Sequence, residues 1–281
     1  MNAVYLYKAE VPDLADDRFS SDSEYADYLN SFSQPEDLFE SIIFDRQNVD
    51  RFSIIISDYI ALEQALGGTT LTNGLRFYSF APPGNSSERI LVVNYVALNS
   101  TGDQAGIARG DFFNKIDGVT LTEDNINSLL SSDSYTLHYA DYDDNGTPET
   151  ADDTFSDSDT TVQLDKVVFT ENPVNTTAII DVDGQNLGYL NYRGFRSDFI
   201  NQLNDAFGDF ASNNVQHLVL DLRYNGGGSV DVARALASMI TGQFTGEVFS
   251  KLVFNETLSN NNEDLEFVSD FNSLSLSLIH I

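Results

Sequence analysis

Residues 221–229 of this 281-residue chain, DLRYNGGGS, concentrate the groups that are able to do chemistry. An aspartate, an arginine and an asparagine precede three consecutive glycines. Glycine has no Cβ atom, so its backbone adopts positive φ angles and comes close to a ligand. Backbone N–H groups presented in this way suit an anion, or a negative charge that develops during a reaction.

Two regular elements must hold this stretch in place. Residues 215–222 form an apolar run rich in β-branched residues and leucine, which predicts a buried strand. Ser229 is placed to cap a following helix, and Gly242 to end it. Five apolar residues recur at helical spacing between them: Val230, Ala233, Leu236, Ala237 and Ile240. The sequence therefore predicts a strand, a glycine turn and a helix in this order.

Several common uses of a glycine turn are excluded by the flanking residues. No Lys-Ser or Lys-Thr follows the glycines, so the turn is not a nucleotide P-loop. The glycine spacing does not fit the dinucleotide fingerprint, and no G-x-S-x-G elbow surrounds Ser229. We therefore expect no cofactor.

Residues 221–228 resemble the D-L-R-x-N-x-G-G segment of the C-terminal processing (tail-specific) serine peptidases, family S41. In that family the segment lies beside the active site, and a glycine N–H helps to form the oxyanion hole. The resemblance implies this role for Gly227 or Gly228. Gly226 stands where many family members have proline, a departure that leaves the turn chemistry intact.

A second motif, residues 105–118 (AGIARGDFFNKIDG), closely resembles the PDZ domains of bacterial proteases. Ahead of it, Gly74, Leu75, Arg76 and Phe77 resemble the carboxylate-binding loop of such domains. The resemblance implies that backbone N–H groups of this loop hold a peptide C-terminal carboxylate while the peptide pairs as an added strand. The alternative is a β-rich domain whose glycines only turn hairpins.

Residues 141–159 are the most polar stretch of the chain. Acidic and amide residues there fall at the ligand positions of an EF-hand-like calcium loop: Asp141, Asp143, Asn145, Glu149 and Asp152. Three features argue against a calcium site. Asp152 ends the loop where glutamate is usual, Pro148 does not suit such a loop, and no clear helices flank residues 141–152. We favour the alternative, a solvated acidic hairpin tip that turns at Asn145-Gly146 and holds no metal.

Serine peptidase chemistry needs a hydroxyl nucleophile, a base and oxyanion donors. We interpret His138, His217 and His280 as structural or incidental. The family resemblance implies instead a Ser-Lys dyad, in which a desolvated neutral lysine deprotonates the serine. After Gly242 the chain has one lysine, Lys251, and six serines, none in the family context. We therefore assign neither catalytic residue to this chain.

The composition sets further limits on function. Forty-four acidic residues against 14 basic ones give a formal net charge of −30, which argues against binding to nucleic acid or to an anionic membrane surface. A hydrophobic content of 41% with 20 Phe and 13 Tyr supplies enough apolar residues for packed cores. The absence of cysteine excludes disulfides and a cysteine nucleophile. No run is apolar enough to span a bilayer.

These features predict an α+β multidomain protein. We expect an N-terminal helical cap in residues 1–66 and a PDZ-like β domain in residues 67–165, with 141–159 as an acidic hairpin insertion. The family resemblance implies that residues 166–275 begin a ClpP/crotonase-like α/β peptidase core. Within this region the amphipathic pattern of residues 195–210 predicts a helix. In the cap, Asp22 or Ser23 is expected to cap the first helix and Pro35 to begin the second.

The sequences of the two chain ends lead to separate predictions. Residues 276–281, LSLIHI, are what CTG TCT CTT ATA CAC ATC encodes, a transposase adapter end used in library sequencing. We predict that they are a non-native tail and that native sequence stops just before the catalytic serine; the alternative is a genuine apolar β tail. The start, NAVYLY, resembles the mature start of family members from Bacteroidetes-like bacteria. That resemblance implies an upstream export signal, a lipid anchor, and a periplasmic or outer-membrane location.

We predict that the parent protein is an exported S41 serine endopeptidase, whose PDZ domain captures protein or peptide substrates by their free C-termini. The chain as given is expected to bind peptides without cleaving them. One alternative is a non-catalytic PDZ-bearing peptide-binding or scaffold protein. Another is an acidic calcium-binding surface protein.

Overall fold

The computed structural model describes residues 4–276, apart from the side chains of Ala61, Ala65 and Leu66. Its helices are α1 (Asp22–Asn30), α2 (Pro35–Ser41), α3 (Tyr59–Leu66), α4 (Thr101–Gln104), α5 (Ile126–Ser131), α6 (Ile200–Ser212) and α7 (Val230–Ile240). Its strands are β1 (Thr69–Thr72), β2 (Leu75–Phe80), β3 (Ile90–Val96), β4 (Phe112–Ile116), β5 (Val119–Thr120), β6 (Ser134–Asp143), β7 (Thr154–Asp165), β8 (Val167–Thr170), β9 (Val174–Val182), β10 (Gln185–Tyr192), β11 (His217–Asp221), β12 (Val248–Leu252) and β13 (Glu263–Glu266). None of the helices within residues 4–276 combines the length and apolar character needed to cross a membrane.

The described residues form two compact units. The first unit combines the residues up to Ile60 with residues 207–212 and those from Val230 onward. The second unit contains residues 61–206 and 213–229. Both units mix helices with sheets, which confirms the predicted α+β class. The predicted limits of the cap, the PDZ-like domain and the peptidase core stay predictions.

Helix α1 forms where predicted, but its cap is Ser21 and not Asp22 or Ser23. The backbone of Ser21 is extended, and its Oγ accepts a hydrogen bond from the Glu24 N–H at 3.2 Å. Glu24 in turn accepts a hydrogen bond from the Ser20 N–H at 2.8 Å. Because an N-cap needs extended backbone and a side-chain oxygen within reach of the first turn, the serine just before the helix takes this role.

We expect Ser21→Ala to lower the free energy of unfolding of the first unit by about 1 kcal/mol, because the Glu24 N–H loses its acceptor. Urea unfolding measures the change. Ser23→Ala, an exposed position inside the helix, is the matched control, with an expected change below about 0.5 kcal/mol. Equal losses in both variants would contradict the assignment of Ser21 as the cap.

The predicted starts of two other helices differ in their outcome. Helix α2 begins at Pro35, as predicted. Helix α6 begins at Ile200 and not at residue 195, because Ser197–Phe199 first forms a 3-10 turn. Of the five apolar residues at helical spacing in α7, Leu236 and Ile240 are buried, whereas Val230 is 48% exposed. The spacing of apolar residues therefore indicated this helix correctly.

The largest sheet of the second unit has six antiparallel strands in the order β2-β3-β4-β6-β7, with β5 paired to β4. Its core is built around Phe113, Ile116 and Leu137, whose side chains are fully buried. The motif in residues 105–118 forms the turn before β4, the strand β4 itself, and the hairpin to β5, as expected. Strand β2 lies at the edge of this sheet.

A three-stranded sheet in the same unit has the order β11-β10-β9, with β11 parallel and β9 antiparallel to β10. The strand predicted in residues 215–222 forms as β11, but the prediction that it is buried is wrong. Val219 is 45% and Leu222 42% exposed, and His217 is exposed as well. Within the described residues β11 is an edge strand, paired on one side only, and an apolar run does not distinguish an edge strand from a central one.

Candidate functional site

The glycine turn links the end of β11 to the start of α7, and Asn225 holds its shape. The Asn225 Oδ1 accepts a hydrogen bond from the Gly227 N–H at 2.7 Å. The Asn225 Nδ2 donates to the Tyr192 carbonyl at the end of β10, at 2.9 Å. A side-chain amide both accepts and donates, so this single residue ties the turn to itself and to the neighbouring strand.

Gly228 is fixed by the backbone of Phe195. The Phe195 N–H donates to the Gly227 carbonyl at 2.9 Å, and the Ser229 N–H donates to the Phe195 carbonyl at 2.8 Å. The φ angle of Gly228 is +137°, and a Cβ atom there would lie 2.2 Å from the Phe195 carbonyl oxygen. No side chain fits in this position, so glycine is required for both conformation and space.

The two predicted oxyanion donors differ in availability. The Gly227 N–H is used by Asn225, as described above. The Gly228 N–H has no hydrogen-bond partner among residues 4–276. A pocket of about 370 Å³ opens beside it, lined by Gly67, Phe195, Ser197, Asp198, Gly228 and Ser229. The geometry favours Gly228 as the donor, while the role itself stays a prediction.

Asp221, the last residue of β11, is held by a dense set of donors. Arg223 donates from its backbone N–H at 2.9 Å and from its Nη2 at 2.6 Å, and the Tyr189 hydroxyl donates at 2.8 Å. Asp221 is only 8% exposed, so the pairing replaces lost solvation. The hydrogen bonds from the Arg223 side chain hold the pKa of the Asp221 carboxyl well below its usual range. The carboxylate therefore anchors the start of the turn, and its two oxygens are already engaged.

Of the predicted carboxylate-binding loop, only Gly74 precedes β2, and the residues from Leu75 to Phe77 form the start of that strand. In this structure the first N–H groups of the loop are occupied by neighbouring side chains: Gly74 donates to Thr72 Oγ1 at 3.0 Å, and Leu75 donates to Asn73 Oδ1 at 3.2 Å. Arg76 lines a pocket of about 200 Å³ beside the loop. A peptide carboxylate bound there would have to replace the two side-chain oxygens.

The acidic stretch 141–159 is the tip of the β6–β7 hairpin. Its turn is at Asn145-Gly146, where both residues have positive φ. Asp143 Oδ1 accepts from the Asn145 N–H at 2.8 Å, so carboxylates here serve the hairpin itself. Within residues 4–276 no group of three or more His, Cys, Asp or Glu side chains is arranged to hold a metal ion. The metal-free hairpin tip stays the prediction, and calcium binding by Asp141, Asp143, Asn145, Glu149 and Asp152 stays its alternative; calorimetry with and without Ca²⁺ tests between them.

The other candidate catalytic side chains have ordinary partners. His138 Nε2 accepts from the Gly118 N–H at 3.1 Å, and His217 contacts Gln185 at 3.0 Å. Lys251 forms an ion pair with Asp264 at 3.0 Å, and its side chain is 63% exposed. An exposed lysine paired with a carboxylate differs from the desolvated lysine that the family resemblance implies as the base. His280 and the proposed tail from residue 277 onward lie outside the described residues.

Two residues that shape this region carried no signal in the sequence. Phe195 closes on the glycine turn through its backbone, which any residue type provides. Arg193 is a single buried arginine just after β10, 5% exposed. Only the folded arrangement brings either of them to the turn.

Two family models match the chain. The model described as peptidase family S41 matches residues 186–270, and the model described as the peptidase S41 N-terminal domain matches residues 1–54. The first match includes the glycine turn. The second falls in the region that the sequence predicts to be a helical cap. No curated protein sequence matches the chain significantly.

Among solved structures, a protein described as an S41 protease from Bacteroides fragilis shares the fold with a TM-score of 0.75 at 22% identity; the match covers 99% of this chain and 68% of that one. A photosystem II D1 C-terminal processing protease matches with a TM-score of 0.37 at 25% identity, over 62% of this chain and 45% of that one. A PDZ domain protein from Parabacteroides distasonis matches with a TM-score of 0.26 at 18% identity, over 52% of this chain and 25% of that one.

Proposed function

Since the chain belongs to peptidase family S41, we propose that its parent protein is a serine endopeptidase of the C-terminal processing type, with the Gly228 N–H as an oxyanion donor. The observation that carries the proposal is the locked glycine turn. Gly228 keeps an N–H without a partner in the described residues, beside a pocket of about 370 Å³. A donor fixed before the reaction stabilises the developing oxyanion without a reorganisation cost.

The reaction needs a serine hydroxyl that attacks the scissile carbonyl and a base that takes the hydroxyl proton. In the proposed mechanism a neutral lysine is that base, and it later returns the proton to the leaving amine. Lys251 does not suit the role, because it is exposed and paired with Asp264, whereas the proposed base is desolvated. We therefore expect the 281-residue chain to show no peptidase activity.

Substrate capture is the second part of the proposal. Strand β2 lies at the edge of its sheet, and an edge strand offers unpaired backbone groups to an extended peptide. The loop from Gly74 to Phe77 would then receive the peptide C-terminus. This requires Thr72 and Asn73 to release the two loop N–H groups, because in the described state their side-chain oxygens accept hydrogen bonds from those groups.

The test is to extend the gene from source DNA and assay the longer protein on a peptide with a free apolar C-terminus, beside the same peptide amidated. We expect cleavage of the free peptide alone, because the amide has no carboxylate for the loop. Lys251→Ala is the matched control, and it should cleave as fast as the unchanged protein. Cleavage of neither peptide, or equal cleavage of both, would contradict the proposal.

A non-catalytic peptide-binding or scaffold protein is the alternative, and an extended gene without a serine and a lysine in the family context would favour it. The same assay decides between the two, since binding of the free peptide without cleavage identifies the scaffold. We further propose export to the periplasm or outer membrane, which fractionation of cells producing the extended protein tests.

A further inference from the structure

The second unit has a polar pocket that is separate from the one beside Gly228. It has a volume of about 450 Å³ and lies among β3, the loop that follows α4, β9, β10 and the start of the glycine turn. Arg109, Arg193 and Arg223 all line it. The chain has only 14 basic residues against 44 acidic ones, so three arginines around one pocket oppose the overall charge of the protein.

Arg193 is the unusual member of this group. It is 5% exposed, yet its Nε and Nη2 are buried atoms without a hydrogen-bond partner in residues 4–276. Its guanidinium carbon lies 3.2 Å from the centre of the Tyr95 ring and 5.2 Å from that of Tyr224. The aromatic rings hold the cation in place but do not satisfy its N–H groups. Burial lowers the pKa of Arg193, as expected for a charge that has lost water without gaining hydrogen bonds.

The nearby carboxylates do not supply the missing hydrogen bonds. Glu171 Oε1 is 3.7 Å from Arg193 Nε, too far for a hydrogen bond, and it already accepts from the Tyr95 hydroxyl at 2.7 Å. Asp221 is engaged by Arg223 and Tyr189. Asp103 accepts from the Asn99 N–H at 2.7 Å.

The same pocket contains an acceptor without a partner. Asn94 lines it, and its Oδ1 is a buried atom with no hydrogen-bond partner among the described residues. Two residues that line the pocket thus carry two unsatisfied donors, on one edge of the Arg193 guanidinium, and one unsatisfied acceptor, on Asn94. Buried polar groups are normally paired, so these three atoms call for a ligand with the complementary pattern.

We infer that this pocket binds a peptide carboxylate, held by Arg193 Nε and Nη2, with an amide N–H of the same peptide donating to Asn94 Oδ1. The Nε and Nη2 edge of a guanidinium matches the two oxygens of a carboxylate in a bidentate pair. The carboxylate is either the C-terminus of a peptide or the side chain of an aspartate or glutamate within it. The site is distinct from the loop at Gly74. It requires no catalytic step, so it can be tested independently of the proposed peptidase activity.

Calorimetric titration of the 281-residue chain tests the inference with three probes: acetyl-Ala-Ala-Ala with a free C-terminus, its C-terminal amide, and acetyl-Ala-Glu-Ala-amide. We expect the neutral amide not to bind and at least one carboxylate peptide to bind. Binding of the free C-terminus or of the glutamate peptide identifies the source of the carboxylate. Binding of all three alike, or of none, would overturn the inference.

Three variants assign the binding to this pocket. Arg193→Lys keeps the charge but loses the bidentate edge, and we expect the affinity for the carboxylate peptide to fall about tenfold or more. Asn94→Asp places a competing carboxylate in the pocket and should abolish binding; it is the second measurement if Arg193→Lys does not fold. Arg51→Ala, which removes an exposed arginine that does not line this pocket, is the matched control, with an expected change of about threefold or less.

A Gly74→Ala variant separates this site from the predicted carboxylate-binding loop. A Cβ at position 74 would lie 2.2 Å from Ser100, so this change disrupts the loop. Peptide binding that is lost in Gly74→Ala but unchanged in Arg193→Lys would overturn the inference and leave the loop as the capture site. Binding that depends on Arg193, in an extended protein that cleaves no peptide, would support the inference while the proposed peptidase fails.

Discussion

Gly228→Ala is expected to destabilise the second unit by about 4 kcal/mol, the sum of a strained backbone and a steric overlap. The φ angle of +137° is one that an alanine rarely adopts, and the new Cβ would lie 2.2 Å from the Phe195 carbonyl oxygen. Relief of the overlap requires the turn to move away from Phe195. That movement would break the hydrogen bonds of Gly227 and Ser229 to the Phe195 backbone, and it would displace the N–H proposed to stabilise the oxyanion.

Gly226→Ala is the matched control in the same turn. Its φ is not in the positive range, and no atom lies within 4 Å of a Cβ built there. We expect a change of less than about 1 kcal/mol in urea unfolding, and retained activity in an extended protein. If the two substitutions lower the free energy of unfolding equally, the contact with Phe195 does not determine the conformation of the turn. If Gly228→Ala folds normally and an extended form still cleaves peptides at full rate, Gly228 is not the oxyanion donor.

Asp221→Asn is expected to lower the free energy of unfolding by about 2 to 3 kcal/mol. The neutral amide has one acceptor oxygen instead of two, and its NH₂ group would face the Arg223 and Tyr189 donors. Asp264→Asn, at an exposed ion pair with Lys251, is the matched control, with an expected loss below about 0.5 kcal/mol. Equal losses in the two variants would mean that burial of the Asp221 carboxylate contributes nothing beyond a surface pair.

The same carboxylate gives stability a defined pH dependence. The pKa of Asp221 in the folded protein is lowered, chiefly by the hydrogen bonds from the Arg223 side chain. Its contribution is therefore fully present above the pKa of an unfolded aspartate, about 3.9, and is lost as the pH falls toward the lower folded value. The stability difference between the unchanged protein and the Asp221→Asn variant should be constant from about pH 7 to about pH 5 and shrink by about pH 3. A difference that grows on acidification would contradict the assignment.

The motifs of the sequence predicted the local structure well because they depend on neighbouring residues. The strand, the glycine turn and the helix after residue 229 all form, and so do the turn, strand and hairpin of residues 105–118. The cap of α1 was misplaced by one residue, since three consecutive residues able to cap a helix compete there. The burial of β11 was wrong because the composition of a strand does not reveal how many neighbours it pairs with.

The glycine turn between a strand and a helix could be predicted from the sequence, because three adjacent glycines and their flanking residues form a pattern that is local in the chain. Which glycine N–H remains available became clear from the folded structure alone, since it depends on the Asn225 side chain, which accepts a hydrogen bond from the Gly227 N–H. The tertiary structure also decided that Arg193 is buried with unsatisfied donors, because the rings of Tyr95 and Tyr224 surround it from distant parts of the chain. Whether a buried donor finds an acceptor depends on the folded structure and not on the spacing of residues in the sequence. A buried arginine with unsatisfied donors therefore cannot be predicted from the sequence.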